Sequence, residues 1–427
     1  MGAMSVSDVF PWIALASVIA VPLYAGALRG RRYAIFSGVI LGFSLPGALI
    51  MHARLSALLA APLQPWLDLA FGASMAAAAV HLAHLVRARL RSRGFRLLVS
   101  VPGQTFIAAG FMSGVWLLFL LPLRAVLGAF ESEALLRQLA WLDFLPFLVA
   151  GFSVYTSTRP VAELVRVQIG NDGPDEVTRV PVQRYKAGRA APPLATRPLR
   201  IVQIADPHLG PWQSVASLKR TVAGLLEHDP DLVLLTGDFL TMEGIGSRGA
   251  LSEAFEPLKK AAGRCFAIFG NHDHEAPDEV RAALLDNGVT LLVDEEVLTD
   301  TPAGPVQIVG SDWAGRRAKE QLPALLERFP RREDHTRVLL LHDPLAFQHV
   351  PPGDVDLTLS GHTHGGQVGL VSFGLDWTVL TRSAWPDHGL FALGSSRLYV
   401  HRGTGFYGFP LRVGVPGEAS LLEFVLA

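Results

Sequence analysis

Cysteine is almost absent from this chain of 427 residues, which contains only Cys265. A single thiol cannot form an internal disulfide, and it has no partner for a thiolate metal site. Charge is scarce as well, since Asp, Glu, Lys and Arg make up 18% of the chain, against about 25% in an ordinary soluble domain. The formal net charge of -1 provides no basic excess for a nucleic acid, so we expect no nucleic-acid partner.

Hydrophobic residues, in contrast, make up 50% of the chain. Apolar runs of roughly the 20 residues that a helix needs to cross a bilayer follow one another in the N-terminal part. The five runs are residues 9–28, 33–51, 66–86, 97–123 and 139–155. The fifth is the weakest because it contains Asp143 and Pro146. The sequence therefore predicts an all-α transmembrane helical domain of about five spans over residues 1–157.

Arginine is distributed unevenly over the loops between these runs. Arg29, Arg31 and Arg32 follow the first run, and five arginines lie within residues 87–96, after the third run. Short loops rich in Lys and Arg remain in the cytoplasm, and the loops after the second and fourth runs carry no such excess. With five crossings, we expect the part of the chain after residue 157 on the cytoplasmic side of the inner membrane. The prediction reverses if the fifth run does not span.

From about residue 158 the pattern changes to short apolar runs alternating with helical periodicity. Residues 161–169 alternate like an edge strand, and residues 187–198 are rich in Ala, Pro and Arg, so 158–198 is predicted as an edge strand and linker. Further strands are predicted at 199–205, 231–236, 265–269, 306–310, 337–341, 355–359, 397–401 and 420–426. Helices are predicted at 214–228, 251–262 and 278–287. The sequence thus predicts a layered α/β domain over residues 199–427.

Polar residues with metal affinity follow the predicted buried strands. Since strand ends converge at one edge of a sheet, we expect these side chains to lie together. Each motif alone has an ordinary explanation as a turn, a cap or a buried polar residue. Together they supply carboxylate, imidazole and amide ligands without a thiolate, which predicts a metal site. The residues are Asp206, His208, Asp238, Asn271, His342, His362 and His364, and the glycines that precede three of the clusters are Gly237, Gly270 and Gly361.

The motifs DPH, GD, GNHD, an isolated His and GHTH, in this order, resemble the calcineurin-like metallophosphoesterase superfamily over residues 199–427. LRIVQIADPHLG, DLTLSGHTHGGQV and LYVHRGTGFYGFPLRVG resemble its membrane-associated bacterial branch, which includes phosphodiesterases and UDP-2,3-diacylglucosamine pyrophosphohydrolases. The multi-span N-terminal half resembles, more loosely, transmembrane proteins with a metallophosphoesterase domain. The resemblance implies a layered α/β/β/α sandwich and a two-metal phosphoesterase.

The resemblance also implies a role for each motif residue. One divalent cation would be held by Asp206, His208, Asp238 and His364. The second would be held by Asp238, Asn271, His342 and His362, so that Asp238 bridges the pair and both cations act on one shared water. Manganese is expected first, although these ligands also suit iron and zinc. His272 would protonate the leaving group, and Asp273 would either orient the His272 ring or cap a turn.

The expected function is therefore hydrolysis of a phosphodiester or pyrophosphate bond by a membrane-anchored enzyme. Five spans exceed the anchor that a soluble substrate requires, so we expect a phosphorylated, lipid-linked substrate such as UDP-2,3-diacylglucosamine. Aromatic and arginine residues of the C-terminal segment also suit a membrane interface. They are Trp377, Trp385, Phe391, Phe406, Tyr407, Phe409, Arg382, Arg397, Arg402 and Arg412. The alternatives are a general phosphodiesterase or phosphomonoesterase acting on soluble substrates, and a non-catalytic membrane sensor that binds phosphate ligands.

Overall fold

The computed structural model describes residues 9–130, 133–169, 173–186 and 191–425. It divides into two compact units, Met1–Tyr155 with Gly408–Leu411 and Thr156–Tyr407 with Arg412–Ala427. Parts of the predicted linker at 187–198 and of the last predicted strand lie outside the described residues, as does the start of the chain before Val9.

The first unit is helical. Its helices are α1 (Val9–Leu28), α2 (Arg31–Leu58), α3 (Gln64–His84), α4 (Arg93–Phe95), α5 (Val101–Ala129), α6 (Glu133–Leu139) and α7 (Leu145–Ser157). Among the described residues, five segments are long and apolar enough to cross a membrane, namely Val9–Leu28, Arg31–Leu58, Ala61–His84, Arg93–Ala129 and Glu133–Ser157. The predicted set of five long apolar N-terminal helices is therefore confirmed, and the fifth is interrupted by a short 3-10 turn, Ala140–Phe144.

Polar contacts within this unit indicate which helix ends lie together. Arg29 Nη1 donates to the carbonyl of Leu85 at 2.5 Å, so the end of α1 and the end of α3 share one end of the bundle. Asp143 is buried and accepts hydrogen bonds from Arg54 Nε at 2.9 Å and Arg124 Nη1 at 3.2 Å. These two arginines belong to the C-terminal parts of α2 and α5, so their helix ends also meet.

The second unit contains two seven-stranded sheets. The strands are β1 (Val161–Gln168), β2 (Thr178–Val180), β3 (Gln183–Lys186), β4 (Leu199–Ile204), β5 (Leu232–Leu235), β6 (Cys265–Ala267), β7 (Thr290–Leu291), β8 (Glu295–Thr301), β9 (Gly304–Ser311), β10 (Thr336–Leu341), β11 (Leu357–Ser360), β12 (Gly389–Leu393), β13 (Ser396–Val400) and β14 (Glu418–Val425). The sheet orders are β3-β1-β14-β4-β5-β6-β7 and β2-β12-β13-β11-β10-β9-β8. The central strands β4 to β6 and β9 to β11 are parallel, so their carboxyl ends point the same way within each sheet.

The two sheets pack face to face around one apolar core. Ile201, Leu234 and Phe424 from the first sheet and Ile308 and Leu340 from the second belong to the same buried cluster. The α-helices in the described part of this unit are α8 (Val215–Leu226), α9 (Ala250–Phe255), α10 (Pro277–Asp286) and α11 (Ala318–Arg328). The apolar face of α11 covers the outer side of the second sheet. The predicted C-terminal α/β fold, with helices outside paired sheets, is confirmed.

The region predicted as an edge strand and linker differs in detail. β1 is not an edge strand, because β3 pairs with it on one side and β14 on the other. β2 joins the second sheet through β12. Residues 158–198 therefore contribute strands to both sheets rather than only connecting two domains. β2 and β3 are short and half-exposed, so they carry no apolar pattern that would have identified them.

Candidate metal centre

The structure collects six of the seven predicted ligands into two groups. The first group is Asp206, His208 and His364, and the second is Asp238, His342 and His362. Within each group one ligand atom per residue lies within 4.8 Å of the others. Asp206 and Asp238 follow the ends of β4 and β5, while His342 and His362 follow β10 and β11. The seventh, Asn271, follows β6, so both sheets contribute to the predicted site.

The first group surrounds a buried carboxylate. His208 Nε2 lies 3.1 Å from His364 Nε2, and His364 Nε2 lies 3.8 Å from Asp206 Oδ1. Asp206 is fully buried, and its two oxygens accept the backbone N–H of His362 at 3.0 and 3.1 Å. This hydrogen bond connects the loop after β4 with the loop after β11. Two imidazole nitrogens so close together suit coordination of a shared cation at about 2.0–2.1 Å from each.

The second group is arranged around Asp238. Its Oδ2 lies 3.2 Å from His342 Nε2 and 3.8 Å from His208 Nε2, which belongs to the first group. The N–H at His342 Nδ1 donates to the carbonyl of Thr236 at 2.6 Å. This bond fixes the ring tautomer that leaves Nε2 free to bind a metal. Asp238 therefore lies between the two groups.

The electrostatics of the site fit cations. Asn271 Oδ1 is buried and has no hydrogen-bond partner, although buried polar atoms normally have one. Burial, opposed by His342 and reinforced by Asp238, raises the pKa of Asp206 to about 7. Burial alone would lower the pKa of His342, but Asp238 raises it to about 10. Divalent cations would coordinate the unpaired Asn271 oxygen and compensate the negative charges of Asp206 and Asp238.

The backbone at the site is unusual. Five of the predicted ligands have φ between 44° and 68°, in the left-handed region that residues other than glycine rarely adopt. They are Asp206, His208, Asp238, His362 and His364. Gly361 supports this geometry, because a Cβ there would lie 2.2 Å from Asp206 Oδ2. Gly237 itself has φ of 91°, as expected for the tight turn before Asp238.

His272 lies beside the predicted metal ligands, but Asp273 does not orient its ring. His272 Nδ1 lies 3.1 Å from Glu275 Oε1. The Asp273 carboxylate instead accepts the backbone N–H groups of Asp238, Phe239 and Gly270 at 2.7–2.8 Å. The expectation that Asp273 orients the His272 ring is therefore wrong in this structure. The alternative expectation, that Asp273 caps a turn, agrees better with these backbone hydrogen bonds. Burial would lower the pKa of His272, but the contacts with Glu275 and Asp238 raise it.

Three residues that the motif argument did not assign also contact the site. The Tyr407 ring stacks on His272 with centroids 4.2 Å apart. Trp313 lies 5.2 Å from the His362 ring. Arg412 is buried and donates to the carbonyls of His364, Arg402 and Gly405, which stabilises the end of the GHTH loop. Tyr407 and Arg412 lie within LYVHRGTGFYGFPLRVG, so their stretch was identified but their roles were not.

Seven of the ten aromatic and arginine residues expected at a membrane interface fall into a buried and an exposed set. Phe391, Phe406, Arg397, Arg402 and Arg412 are buried. The Arg402 guanidinium donates to Glu163 and Glu418 at 2.6 and 3.1 Å inside the catalytic unit. Trp377 and Trp385, in contrast, are 46% and 41% exposed. The interface interpretation therefore fails for the buried arginines and keeps support only in the segment around the two tryptophans.

Paired β-sheets with His, Asp and Asn side chains at their strand ends define a metallophosphoesterase fold, and comparison with known proteins agrees. Residues 199–366 match the family model described as calcineurin-like phosphoesterase. The chain belongs to this family and is a metal-dependent phosphoesterase. The family uses divalent metals, and the chain has two candidate sites for them.

Several relatives share the catalytic part. Phosphodiesterase YaeI of Escherichia coli strain K12 is 31% identical over 235 residues, which are 53% of this chain and 83% of that protein. Uncharacterized metallophosphoesterase YkoQ of Bacillus subtilis is 30% identical over 53% of this chain and 83% of its own. The transmembrane protein with metallophosphoesterase domain of Danio rerio is 31% identical over 52% of each chain. With the five apolar helices, these similarities indicate a membrane-associated phosphoesterase.

Proposed function

We propose that this protein is a two-metal enzyme of the membrane surface that hydrolyses a phosphodiester or pyrophosphate bond in a lipid-linked substrate. The position of Asp238 is the main support for two metals in this proposal. Its Oδ2 lies 3.2 Å from a nitrogen of one ligand group and 3.8 Å from a nitrogen of the other. A carboxylate placed between two ligand groups could be shared by the two cations.

Two sets of proposed metal ligands share Asp238. We assign the first cation to Asp206, His208, Asp238 and His364. We assign the second to Asp238, Asn271, His342 and His362, with manganese the first candidate and iron or zinc the alternatives. When bound, the pair supplies a water of lowered pKa and neutralises the charge that develops on the phosphoryl oxygens.

The chain's own residues prepare the proton transfer. We assign His272 as the donor to the leaving oxygen. Its backbone N–H donates to Asp238 Oδ1 at 2.9 Å, which fixes the residue beside the proposed bridging ligand. Glu275 holds Nδ1 of the ring, and the stacked Tyr407 limits its rotation. Nε2 is thereby left for the leaving group.

The lipid-linked substrate is proposed from the architecture. A phosphoesterase attached to five apolar helices encounters membrane lipids at far higher local concentration than soluble esters. One relative is named a phosphodiesterase and another a transmembrane protein with this domain. UDP-2,3-diacylglucosamine is the specific substrate to test first, and we place the enzyme in the inner membrane with its catalytic unit in the cytoplasm.

Metal dependence is tested on the full-length protein in liposomes. EDTA treatment should abolish release of p-nitrophenol from bis-p-nitrophenyl phosphate, and added manganese should restore it together with about two bound metals per chain. Full activity of the stripped protein, or restoration at one metal per chain, would refute the two-metal proposal.

Substrate class is tested by comparing kcat/KM for UDP-2,3-diacylglucosamine, a soluble UDP-sugar and bis-p-nitrophenyl phosphate in the same liposomes. The lipid-linked proposal expects the acylated compound to be preferred by at least about tenfold, the effect of roughly 1.4 kcal/mol of binding. Equal turnover of the soluble esters would favour a general phosphodiesterase or phosphomonoesterase.

A further inference from the structure

The catalytic unit carries a concentrated set of exposed apolar side chains. Among its described residues, eight large hydrophobic side chains are exposed, and six of these lie within residues 370–385, which we name the apolar loop. The six are Leu370, Phe373, Leu375, Trp377, Val379 and Trp385. The other two, Leu285 and Leu298, lie in other elements. A concentrated apolar surface of this kind marks an interaction site.

The apolar loop is an ordered protrusion. The N–H of Leu370 donates to the carbonyl of Trp377 at 2.8 Å, and the N–H of Val379 donates to the carbonyl of Val368 at 3.0 Å. Thr378 is buried at its base. The folded backbone therefore holds these apolar side chains in contact with water. This exposure costs free energy, which an apolar partner that buries the side chains would recover.

The base of the apolar loop is connected to the metal ligands. Thr378 Oγ1 donates to Asp387 Oδ2 at 2.5 Å, and Thr363 Oγ1 donates to the carbonyl of Asp387 at 2.6 Å. Thr363 stands between His362 and His364 in the GHTH motif. Asp387 thus links the base of the loop to the turn that presents two proposed ligands.

The composition of the apolar loop fits a bilayer surface better than a charged protein surface. Asp376 and Arg382 are its only charged residues, so its net charge is zero. Tryptophan, represented by Trp377 and Trp385, is enriched where the headgroups meet the acyl chains. The same chain has five apolar helices that can cross a membrane, and only residues 158–160 separate α7 from β1. The loop therefore belongs to a chain whose own helices can attach it to a bilayer.

We infer that the apolar loop docks into the headgroup–acyl boundary of the membrane that the helices span. Its apolar side chains enter the outer part of the hydrocarbon layer, and its base holds the GHTH turn at the surface. Docking requires only the membrane attachment, whereas its benefit for catalysis rests on the lipid-linked substrate proposed above.

Nitroxide labels on the full-length protein in liposomes test the docking. We compare Phe373→Cys in the loop, Leu285→Cys outside it and Leu118→Cys on α5, since the native side chains are 76%, 76% and 72% exposed. Cys265 is buried, and burial raises the pKa of its thiol to about 12, so it should stay unlabelled. Accessibility to oxygen and to a water-soluble nickel complex is then measured by power saturation.

We expect the label at 373 to resemble the label at 118, with high oxygen and low nickel accessibility, and the label at 285 to be aqueous. An aqueous label at 373 would refute the docking. A label at 373 shielded from both reagents would also refute it, because a protein or a second copy would then cover the loop.

A double variant separates docking from substrate choice. Phe373→Asp with Leu375→Asp should lower kcat/KM for the acylated substrate by at least about tenfold and leave bis-p-nitrophenyl phosphate hydrolysis unchanged. If the label at 373 is in the bilayer but acylated compounds are not preferred, docking stands and the lipid-linked substrate fails. If acylated compounds are preferred while the label is aqueous, the substrate proposal stands and docking fails.

Discussion

At the scale of single residues, the proposed ligands occupy backbone conformations that cost free energy. A residue other than glycine in a sparsely populated region costs of order 1–3 kcal/mol. Asp206, His208, Asp238, His362 and His364 all have positive φ. The surrounding sheets must stabilise these turns, because the ligands themselves do not. This is why the turns follow directly on fully buried strands such as β5 and β11.

The first prediction concerns the proposed bridging ligand. Asp238→Asn should abolish phosphoester hydrolysis, because the charge shared by both cations is lost, and metal content measured by mass spectrometry should fall from about two per chain. Asp229→Asn is the matched control, since Asp229 also has positive φ, 45°, but is 85% exposed in its side chain. Two metals and normal turnover in Asp238→Asn would contradict the bridging role.

The second prediction concerns the proposed proton donor. His272→Asn should keep both metals and reduce turnover by about 10² to 10⁴. The loss should be larger for an alkyl ester than for a p-nitrophenyl ester, because a poor leaving group needs the proton more. His274→Asn, in the same short turn but paired with Asp312 at 3.0 Å, is the control. Equal losses for both esters would exclude His272 as the donor.

The third prediction separates the two acidic neighbours of His272. Asp273→Ala leaves three buried N–H groups without an acceptor, so the domain should lose roughly 3 kcal/mol or more of stability. Glu275→Gln should keep the fold and the metals but slow the hydrolysis of poor leaving groups. Thermal unfolding and metal analysis distinguish them. A stable Asp273→Ala variant with slow proton transfer would support the sequence-based role instead.

The clustering of the proposed metal ligands was predictable because each follows an apolar strand, and strand ends meet by geometry. The partner of the His272 ring was not predictable. Asp273 is adjacent in sequence, but the 3-10 turn Asp273–Glu275 directs its carboxylate towards buried backbone N–H groups and brings Glu275 to the ring. Adjacency in sequence does not determine where a side chain points in so short a turn.

At the scale of elements, the buried strands and long helices were predictable from periodicity, whereas exposed edges were not. Four strands are almost completely buried and have apolar sequences, namely β4, β5, β10 and β11. β8 is half-exposed with three acidic residues, and its assignment depends on pairing with β9. Arg402 was misjudged because its carboxylate partner Glu163 lies 239 residues earlier in the chain.

The fourth prediction concerns the break in the fifth apolar segment. Asp143→Ala leaves Arg54 and Arg124 without their buried partner, which should cost about 3–5 kcal/mol of stability. Glu133→Ala is the control within the same segment, because its pair with Arg137 is exposed and should contribute less than about 1 kcal/mol. Thermal unfolding in detergent measures both. Equal effects would mean that the Asp143 pairs do not hold the helices together.

At the scale of the whole molecule, the arginine-rich loops and the helix ends agree. The bond from Arg29 to Leu85 joins the regions of the two Arg-rich loops at one end of the bundle. This is the arrangement that the positive-inside rule requires if both loops are cytoplasmic. This arrangement supports the proposed orientation, which a fusion experiment can test directly.

The fifth prediction is that a fluorescent protein fused after residue 427 fluoresces in the cytoplasm, while alkaline phosphatase at the same position stays inactive, since it needs the periplasm. Alkaline phosphatase fused after Leu59, at the end of α2, is the positive control and should be active. Active alkaline phosphatase after residue 427 would reverse the orientation and indicate that the segment around Asp143 does not cross.

The order of strands in the first sheet also governs when the enzyme can become active during its synthesis. β14 lies between β1 and β4, and it supplies Glu418, which accepts the Arg402 guanidinium. Strands that leave the ribosome more than two hundred residues apart must therefore meet before the sheet closes. At roughly 5–20 residues per second, the helices have time to insert into the membrane while the sheet remains open. The first sheet is thus completed only after all the described helices of the first unit have been synthesised.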